Sequence, residues 1–234
     1  MNELKWQDGN LPVSSQFDDP YYSRHDGRAE TDHVFIHGNR LLERWLEMQS
    51  CTIAELGFGT GLNFLETVRQ WKCVKPDGAR LRFISFEQYP ISTKDMEKAL
   101  SAWPELGEFK PRLLEHWESV PGTLDVEFAS DIRLTIHIGD ANRLLPELDF
   151  LADAWFLDGF SPAKNPELWN NLLMNEVARH TVVGGTFSTY SAAGFVRRSL
   201  EASGFQVRKQ KGFGSKREML SGKMQDDIHV ADRH

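Results

Sequence analysis

Short apolar runs alternate with amphipathic segments through most of this chain, and the alternation predicts strands connected by helices. The apolar runs, each ending near a glycine or an acidic residue, lie at 51–56, 80–87, 132–140 and 153–158. Apolar residues at helical spacing occupy the stretches that follow or separate them, at 62–71, 90–118 and 166–180. Within 90–118 a helix is predicted to begin at an N-cap, Ser92 or Thr93, and to end before Pro104. Strands that alternate with helices are joined by right-handed crossovers, so we predict a mostly parallel sheet with helices on both faces.

The two ends of the chain depart from this alternation. Residues 1–40 are polar and rich in turn formers, and a short amphipathic helix is predicted at 39–48. After a predicted glycine turn at 184–185, a strand at 186–190 and a helix at 193–203 precede two strands joined by "KGFGSK". A short turn between two strands favours an antiparallel hairpin.

Together these elements predict a doubly wound α/β fold whose mostly parallel sheet carries an antiparallel C-terminal hairpin. Ligands of such sheets bind at the carboxyl ends of the strands. The predicted parts are an N-terminal extension packed on the core, a main domain, a helical insertion within that domain and a polar C-terminal tail, at residues 1–50, 51–223, about 90–118 and 224–234.

Charge is distributed unevenly over the chain, whose net charge is −7. Residues 191–223 hold eight basic residues and two acidic ones, a charge of +6, so the rest of the chain carries −13. A basic region on an acidic body is typical of proteins that bind phosphate groups on one face, although a solvated basic subdomain fits the composition equally well. The candidate substrate or nucleic-acid contacts are Lys164, Tyr190, Arg197, Arg198, Lys216 and Arg217.

Composition excludes several classes of protein. No run of eighteen apolar residues exists, so no membrane span is expected, and the N-terminus lacks the basic and apolar regions of a secretion signal. Two cysteines are too few for a disulfide framework or a structural zinc site. We therefore expect a cytoplasmic protein.

A glycine-rich turn, "ELGFGTGLN", follows the first apolar run. Gly57, Gly59 and Gly61 occupy alternate positions directly before a predicted helix. Glycines there let the backbone turn tightly and let a ligand approach, while the helix start offers unpaired N–H groups. A dinucleotide site needs a glycine where this chain has Leu62, which disfavours a nicotinamide or flavin cofactor. The turn suits a nucleoside without a pyrophosphate, such as S-adenosylmethionine, unless it is purely structural.

The next two apolar runs end in acidic residues that can serve the same ligand. Glu87 lies 26 residues beyond Gly61, where an acid can accept hydrogen bonds from both ribose hydroxyls. Asp140 ends the third run, where its carboxylate can accept a hydrogen bond from the adenine amine. Either acid can instead be a helix N-cap, but their order at the ends of consecutive strands favours a shared ligand.

The fourth run ends in "WFLDGFSPAKNP", which sets Asp158 at the same predicted edge of the sheet. A carboxylate near a sulfonium cation can orient an attacking amine and accept its proton, so Asp158 is the candidate catalytic residue. Phe160 offers a flat surface for a base, and Pro162 and Pro166 keep the loop extended. Lys164 is the only cation of this loop and contacts either the substrate or solvent.

No metal site is predicted. His33 and His37 are four residues apart, but no glutamate follows the first histidine, and Gly38 disfavours a helix there. Neither cysteine has a neighbouring histidine context that supports a nucleophile.

Five stretches resemble one known family. They are "AELGFGTGLNFL", "FISFEQYP", "DAWFLDGFSPAKNPELW", "SAAGFVRRSLEASGF" and "KGFGSKREML". They are similar to the methyltransferase domain of the tRNA 5-methylaminomethyl-2-thiouridine biosynthesis (MnmC) family, and the resemblance extends from "FDDPYYS" near residue 17 to "SGK" near 223.

The resemblance implies a class I S-adenosylmethionine-dependent methyltransferase of Rossmann-like fold. It also implies methylation of the 5-aminomethyl group on the wobble uridine of tRNA, with Asp158 beside the transferred methyl group. The residues expected to bind the cofactor are Glu55, Gly57, Phe58, Gly59, Thr60, Gly61, Asn63, Glu87, Gln88, Asp140, Ala141 and Phe160. Bifunctional members continue into a flavin-dependent oxidase domain. No second glycine fingerprint occurs here, so we expect methylation without oxidation, no FAD, and an oxidase acting in the same pathway.

Three other functions are compatible with parts of the pattern. A methyltransferase of a small-molecule or protein amine would share the glycine turn but would not need the basic region. A nicotinamide-dependent oxidoreductase is disfavoured by Leu62. A non-catalytic RNA-binding module would bind tRNA without affinity for S-adenosylmethionine.

Overall fold

The computed structural model describes residues 4–7, 10–117 and 120–225, and its central feature is a large sheet covered by helices on both faces. In chain order the strands are β1 (Leu4–Gln7), β2 (Leu11–Ser14), β3 (Asp19–Pro20), β4 (Ser50–Leu56), β5 (Arg80–Glu87), β6 (Gly122–Ala129), β7 (Ile132–Ile138), β8 (Ala152–Leu157), β9 (Thr181–Thr189), β10 (Phe205–Lys211) and β11 (Glu218–Met224). The α-helices are α1 (Gly27–Thr31), α2 (Leu41–Trp45), α3 (Leu62–Val74), α4 (Thr93–Leu100), α5 (Lys110–His116), α6 (Ala141–Leu144), α7 (Asn171–Arg179) and α8 (Gly194–Ala202). A π-helical segment, Asp32–His37, continues α1, and 3₁₀ turns lie at Pro104–Leu106, Leu145–Glu147 and Pro166–Trp169.

The large sheet has the strand order β10-β11-β9-β8-β4-β5-β7-β6. The strands from β9 to β7 are parallel. The hairpin of β10 and β11 on one edge and β6 on the other are antiparallel. The chain leaves β4 toward β5 and β7 and then returns to β8 on the opposite side of β4, so a switch point lies between β4 and β8. The predicted α/β fold and its C-terminal hairpin are confirmed.

Alternate residues of the central strands face two separate hydrophobic cores. Ile53 of β4 and Phe156 of β8 belong to the core that packs against α3, whereas their neighbours Ala54 and Trp155 belong to the core that packs against α7 and α8. All four side chains are fully buried. Burial on both faces explains why these strands are continuous apolar runs in the sequence.

Two strands differ from the prediction. The glycine turn predicted at 184–185 is wrong, because both glycines lie inside β9, which begins at Thr181. Gly184 has φ +76°, and the pairing of β9 with β8 shifts register there, so the pair forms an irregularity within the strand. The strand β6 was not predicted, because it is an exposed edge strand whose polar residues hide any apolar run.

The predicted helices exist in shorter pieces. In the stretch at 90–118 the N-cap predicted at Ser92 or Thr93 is confirmed at Ser92, whose Oγ accepts a hydrogen bond from the Asp95 N–H at 3.1 Å, and α4 ends before Pro104 as predicted. The rest of the stretch is a 3₁₀ turn and α5. The helix predicted at 166–180 begins as a 3₁₀ turn before α7. Arg40 has φ +53°, so α2 starts later than the predicted helix at 39–48.

The predicted N-terminal extension has structure of its own. Strands β1, β2 and β3 form a small antiparallel sheet, and α1 with its π-helical continuation leads into α2. The first strand of the large sheet, β4, begins at Ser50, and the division into an extension and a main domain stays a prediction. Of the other predicted parts, residue 118 of the insertion and residues 226–234 of the tail lie outside the described residues.

None of the helices in the described parts of the chain combines the length and apolar character needed to cross a bilayer.

Candidate active site

A cavity of about 360 Å³ opens where the carboxyl ends of β4, β5, β8 and β9 meet. Most of the predicted site residues line it, namely Gly57, Phe58, Gly59, Thr60, Asn63, Glu87, Gln88, Ala141, Asp158, Phe160, Tyr190 and Lys216. The predicted site residues outside its lining are Glu55, Gly61, Asp140, Lys164, Arg197, Arg198 and Arg217.

The glycine turn after β4 forms one wall of the cavity. Gly57 and Gly59 have φ +83° and +56°, conformations that residues with a Cβ rarely adopt. A Cβ on Gly57 would lie 2.9 Å from the Gly159 Cα, so the turn after β4 and the loop after β8 approach each other through backbone alone. Gly61, the N-cap of α3, has φ +76°, and a Cβ there would lie 2.7 Å from the Leu113 Cδ2 of α5. It is not among the residues that line the cavity.

Replacing Gly57 by alanine is expected to destabilise the protein by about 1–3 kcal/mol, because the new Cβ is both in the left-handed region and in overlap with Gly159. Gly78→Ala is the matched control, since Gly78 has φ +76° with nothing within 4 Å of the added Cβ. Urea unfolding of both variants separates steric overlap from backbone strain. Equal losses in the two variants would contradict the close approach of the two loops.

Asn63 links two carboxylates at the base of the cavity. Its Nδ2 donates hydrogen bonds to the Asp158 Oδ2 at 2.7 Å and to the Glu55 Oε1 at 2.9 Å. Its Oδ1 accepts a hydrogen bond from the Thr31 hydroxyl at 2.6 Å, which fixes the direction of the amide. The Ser85 hydroxyl donates to the second oxygen of Glu55 at 2.6 Å. Asn63 therefore positions Asp158, and Glu55 in turn fixes Asn63 by accepting its second N–H hydrogen bond.

Burial changes the acidity of both carboxyl groups. It raises the pKa of Asp158 to about 7, although the Asn63 amide and the Gly159 N–H stabilise the charged form. It raises the pKa of Glu55 well above its ordinary value, because that side chain is fully buried. Asp158 is half-buried and reaches the cavity, so a group with a pKa of about 7 can exchange a proton with a bound molecule near neutral pH.

Glu87 lies at the end of β5 and joins the glycine turn to the next loop. Its Oε2 accepts a hydrogen bond from the Gly59 N–H and its Oε1 from the Tyr89 N–H, both at 2.7 Å. Burial raises the pKa of Glu87, and these N–H groups oppose the rise. The Gln88 N–H is a third donor to this carboxylate, which leaves about one of its four lone-pair positions for a hydroxyl from a ligand.

Asp140 serves as the N-cap of α6. Its Oδ1 accepts a hydrogen bond from the Asn142 N–H at 2.9 Å, and its Oδ2 lies 3.9 Å from the Arg143 Nε. The neighbouring Gly139 and Ala141 line the cavity, whereas Asp140 does not. The capping alternative raised from the sequence is thus present in the structure, and contact with an adenine amine stays a prediction.

Residues 19–25 form a wall of the cavity that sequence reasoning missed. The Asp19 Oδ2 accepts a hydrogen bond from the Ser161 N–H at 2.8 Å and so holds the loop that follows Asp158. Tyr21 lies against the glycine turn, 3.2 Å from the position of a Cβ on Gly59. The stretch "FDDPYYS" in the family resemblance was the available signal.

The loop that carries Phe160 and Lys164 is also held by the N-terminal part. The Phe160 ring stacks on Phe17 with a centroid distance of 4.6 Å, so one of its faces is already covered. The Lys164 Nζ donates a hydrogen bond to the Asp18 carbonyl and lies 3.6 Å from the Asp19 Oδ1. Lys164 therefore acts within the chain, and a substrate contact from it stays a prediction.

Phe58 contributes little side chain to the cavity. Its ring is 2% exposed and stacks on Trp117 with a centroid distance of 5.3 Å. Its placement among the lining residues reflects the backbone of the glycine turn.

Some basic residues of the C-terminal part lie near the carboxyl ends of the parallel strands, whereas Lys223, paired with Thr186 of β9, lies toward the other end of the sheet. Since β10 runs parallel to β9, the turn after Lys211 lies at the carboxyl ends of the parallel strands. Arg197 and Arg198 lie within the first two turns of α8, which begins just beyond the end of β9. The Arg197 Nε lies 3.3 Å from the Glu201 Oε1, and Arg217 is exposed.

The two predicted non-ligand histidines have backbone partners. The His33 Nε2 lies 2.8 Å from the Lys211 carbonyl oxygen, and the His37 Nδ1 lies 3.0 Å from the Asp32 carbonyl oxygen. Contrary to the expectation from Gly38, His33 and His37 do lie in a helical segment, although of π type. Across residues 4–7, 10–117 and 120–225, no three His, Cys, Asp or Glu side chains are grouped so as to hold a metal ion.

Comparison with known proteins gives a family model and several relatives. The model described as "S-adenosyl-L-methionine-dependent methyltransferase" matches residues 104–225. The chain is 48% identical over 230 residues to the "tRNA 5-methylaminomethyl-2-thiouridine biosynthesis bifunctional protein MnmC" of Aeromonas hydrophila, covering 94% of this chain and 35% of the relative. The protein of the same name from Methylobacillus flagellatus is 45% identical over 224 residues, covering 94% of this chain and 34% of that protein. The chain thus spans about a third of the length of the curated relatives it matches.

A solved structure supports the same comparison. The crystal structure of MNMC2 from Aquifex aeolicus superposes with a TM-score of 0.77 at 26% sequence identity, covering 97% of this chain and 72% of that one. The shared fold therefore extends over the N-terminal wall of the cavity as well as the sheet.

Proposed function

Since this chain belongs to the S-adenosyl-L-methionine-dependent methyltransferase family, we propose that it methylates the amine of 5-aminomethyluridine, or of its 2-thio form, at the wobble position of tRNA. The product is the 5-methylaminomethyl nucleoside. The observation that carries the proposal is the half-buried carboxylate of Asp158, which lies in the cavity beside the glycine turn and has a pKa near 7.

The cavity fits S-adenosyl-L-methionine. Its volume of about 360 Å³ lies within the range of small-molecule sites, about 300–1,000 Å³. We propose that the backbone of Gly57 and Gly59 faces the cofactor and that the Glu87 carboxylate accepts a hydrogen bond from the ribose at the lone-pair position left by its three N–H donors. When bound, S-adenosyl-L-methionine supplies an electrophilic methyl group carried on a sulfonium sulfur.

Asp158 prepares the amine in this proposal. A primary amine is cationic in water, and only the neutral form has a lone pair that can attack a methyl group. The Asp158 carboxylate orients the ammonium group and accepts its proton, while Asn63 fixes the carboxylate through the hydrogen bond at 2.7 Å. The N-terminal wall and Phe160 limit the access of water, which strengthens these charge interactions.

The substrate class rests on the relatives and on the basic region. The relatives' name specifies biosynthesis of 5-methylaminomethyl-2-thiouridine in tRNA, and the match covers 94% of this chain. Arg197, Arg198, Lys211 and Arg217 lie near the edge of the sheet where the cavity opens, which supports a contact with the tRNA backbone there.

The decisive experiment is methyl transfer to tRNA that carries 5-aminomethyl-2-thiouridine, followed by mass analysis of the nucleoside. We expect one added methyl group on the exocyclic amine. Methyl transfer to small amines or to protein amines, if it is not inhibited by added tRNA, would favour the alternative N-methyltransferase. Absence of any methylated nucleoside would contradict the proposal.

A second activity has to supply the amine. The curated relatives are named bifunctional proteins, and this chain matches about a third of their length. We propose that a flavin-dependent oxidase acting on the carboxymethylaminomethyl nucleoside produces the substrate, in the same protein or in a separate one.

Replacing both Arg197 and Arg198 by glutamine is expected to flatten the salt dependence of tRNA binding, with the slope of log K against log salt falling by up to about two units. The control pair is Arg80→Gln with Arg179→Gln. Both residues lie near the amino ends of the parallel strands, and Arg179 forms an ion pair with Glu176 much as Arg197 does with Glu201. Filter binding over a salt series measures both pairs. Equal slopes in the two double variants would show that Arg197 and Arg198 are solvated surface residues that do not contact tRNA.

A further inference from the structure

Lys216 places its ammonium group between a carboxylate and an aromatic ring in the wall of the cavity. The Nζ lies 2.9 Å from the Glu30 Oε1 and 3.8 Å from the centroid of the Tyr190 ring. The Glu30 side chain is 11% exposed, whereas that of Lys216 is 42% exposed. The lysine therefore reaches inward from the β10–β11 turn to a nearly buried acceptor.

Glu30 and Tyr190 are held in place by contacts that do not involve Lys216. The Glu30 Oε2 accepts a hydrogen bond from the Ser23 N–H at 2.8 Å. The Tyr190 hydroxyl donates to the Gly159 carbonyl at 2.8 Å, one residue from Asp158. Because both groups have their own supports, the carboxylate and the ring face stay arranged when the flexible lysine side chain turns away.

The arrangement matches the chemistry of a primary alkylammonium ion. Such an ion has N–H donors for a carboxylate and a positive charge that the face of a tyrosine ring attracts. The substrate of the proposed function carries the same group, a primary ammonium on a CH₂. Glu30, Tyr190 and Asp158 line one cavity, so an ammonium at the first two groups lies in the same enclosure as the third.

We propose that Glu30 and Tyr190 form the subsite that selects the substrate's alkylammonium group, and that Lys216 fills this subsite from within the chain until the substrate displaces it. The inference rests on the proposed function for the identity of the substrate. It assigns Lys216 a competing role in place of the tRNA contact predicted from the sequence. It also gives a role to an acidic residue of α1 that lines the same cavity as Asp158.

Chemical rescue tests the subsite without using activity. Lys216→Ala leaves the Glu30 carboxylate without its cation, and we expect the thermal unfolding midpoint to fall by about 2–4 °C. Ethylammonium chloride is expected to restore at least half of that loss. Sodium chloride and tetramethylammonium chloride at the same ionic strength are expected to restore none, because neither cation has an N–H donor.

Two matched variants sharpen the rescue. The double variant Lys216→Ala with Glu30→Gln is expected to show no response to ethylammonium. Lys209→Ala removes an exposed ion pair of the same hairpin, in which Lys209 Nζ lies 2.7 Å from Glu218 Oε2, and it is expected to show none either. Equal responses of Lys216→Ala to ethylammonium and sodium, or an equal response of the double variant, would overturn the subsite.

Kinetics with aminomethylated tRNA test the displacement. Glu30→Gln is expected to raise KM about tenfold with a smaller change in kcat, since it removes a charge-assisted hydrogen bond to the ammonium. Lys216→Ala is expected to lower KM several-fold, because the internal competitor is gone. A raised KM in Lys216→Ala, or an unchanged KM in both variants, would overturn the displacement and leave the cluster as a brace between α1 and the hairpin. Rescue by ethylammonium without any tRNA methylation would refute the proposed substrate while supporting the ammonium subsite.

Discussion

Replacing Asp158 by alanine is expected to slow methyl transfer by about 10²–10⁴-fold, the usual loss when an acid or base assistant is removed. The affinity for S-adenosyl-L-methionine should stay close to that of the wild type, because the glycine turn and Glu87 are unchanged. Single-turnover methylation of aminomethylated tRNA measures the first quantity, and equilibrium titration of the cofactor measures the second.

The pH dependence of the same reaction tests the role of the carboxylate. In the proposed mechanism the ionised form of Asp158 is the active one, and the pKa of this carboxyl group is about 7. The value of kcat/KM should therefore rise with pH up to about 7 and then level, and this limb should be absent in Asp158→Ala.

Asp153→Asn is the matched control, since Asp153 lies near the opposite end of β8 and accepts a hydrogen bond from the Thr52 N–H at 2.8 Å. It should retain turnover. Near-wild-type turnover in Asp158→Ala would contradict the proposed catalytic role of Asp158.

Replacing Asp158 by asparagine is expected to stabilise the folded protein at pH 8 while it impairs catalysis. Burial raises the pKa of this carboxyl group in the folded state from about 3.8 to about 7. Between these values the folded protein keeps a proton that the unfolded chain has released, so stability falls as the pH rises through this window. Asparagine has no charge to bury and avoids the loss.

The expected gain in the free energy of unfolding at pH 8 is about 1–3 kcal/mol. Three pKa units correspond to about 4 kcal/mol, and the partial exposure of Asp158 to the cavity reduces that value. The gain should shrink as the pH falls toward 3.8 and vanish well below that value, where the carboxyl group is protonated in both states. Urea unfolding at pH 4.5, 6 and 8 measures it, with Asp153→Asn as the control. A difference that does not depend on pH would contradict the raised pKa.

Slower methyl transfer in Asp158→Ala and higher stability in Asp158→Asn would together show that the charge of Asp158 lowers stability while it supports activity. The carboxylate that we propose orients the amine destabilises the folded protein, because it is buried and lies near the negative charge of Glu30. Selection for turnover retains a charge that stability alone would remove.

The glycine turn and the acidic residues at the strand ends could be predicted because each is a local pattern. The spacing of Gly57, Gly59 and Gly61 defines a backbone that only glycine adopts readily. Glu87 and Asp158 follow apolar runs, and the carboxyl ends of parallel strands meet at one edge of the sheet, so the sequence already placed both near the cavity.

Other features required the tertiary structure. Nothing local distinguishes Glu30 from other acidic residues, yet it meets Lys216, 186 positions away. Glu55 belongs to the glycine motif but lies beneath the cavity, bonded to Asn63 and Ser85. Ion pairs such as Lys216–Glu30 and Lys209–Glu218 partly compensate the positive charge of the C-terminal region, and composition does not reveal them.

The sequence by itself determined the α/β alternation, the C-terminal hairpin, the glycine turn and the end of the sheet at which the cavity lies. Only the tertiary structure decided that residues 19–25 close the cavity, that Asn63 links Asp158 to Glu55, and that Lys216 is held by Glu30 and Tyr190. The physical reason is the range of the interactions. Backbone conformation follows from neighbouring residues, whereas the partner and the acidity of a side chain depend on distant segments that meet only when the chain folds.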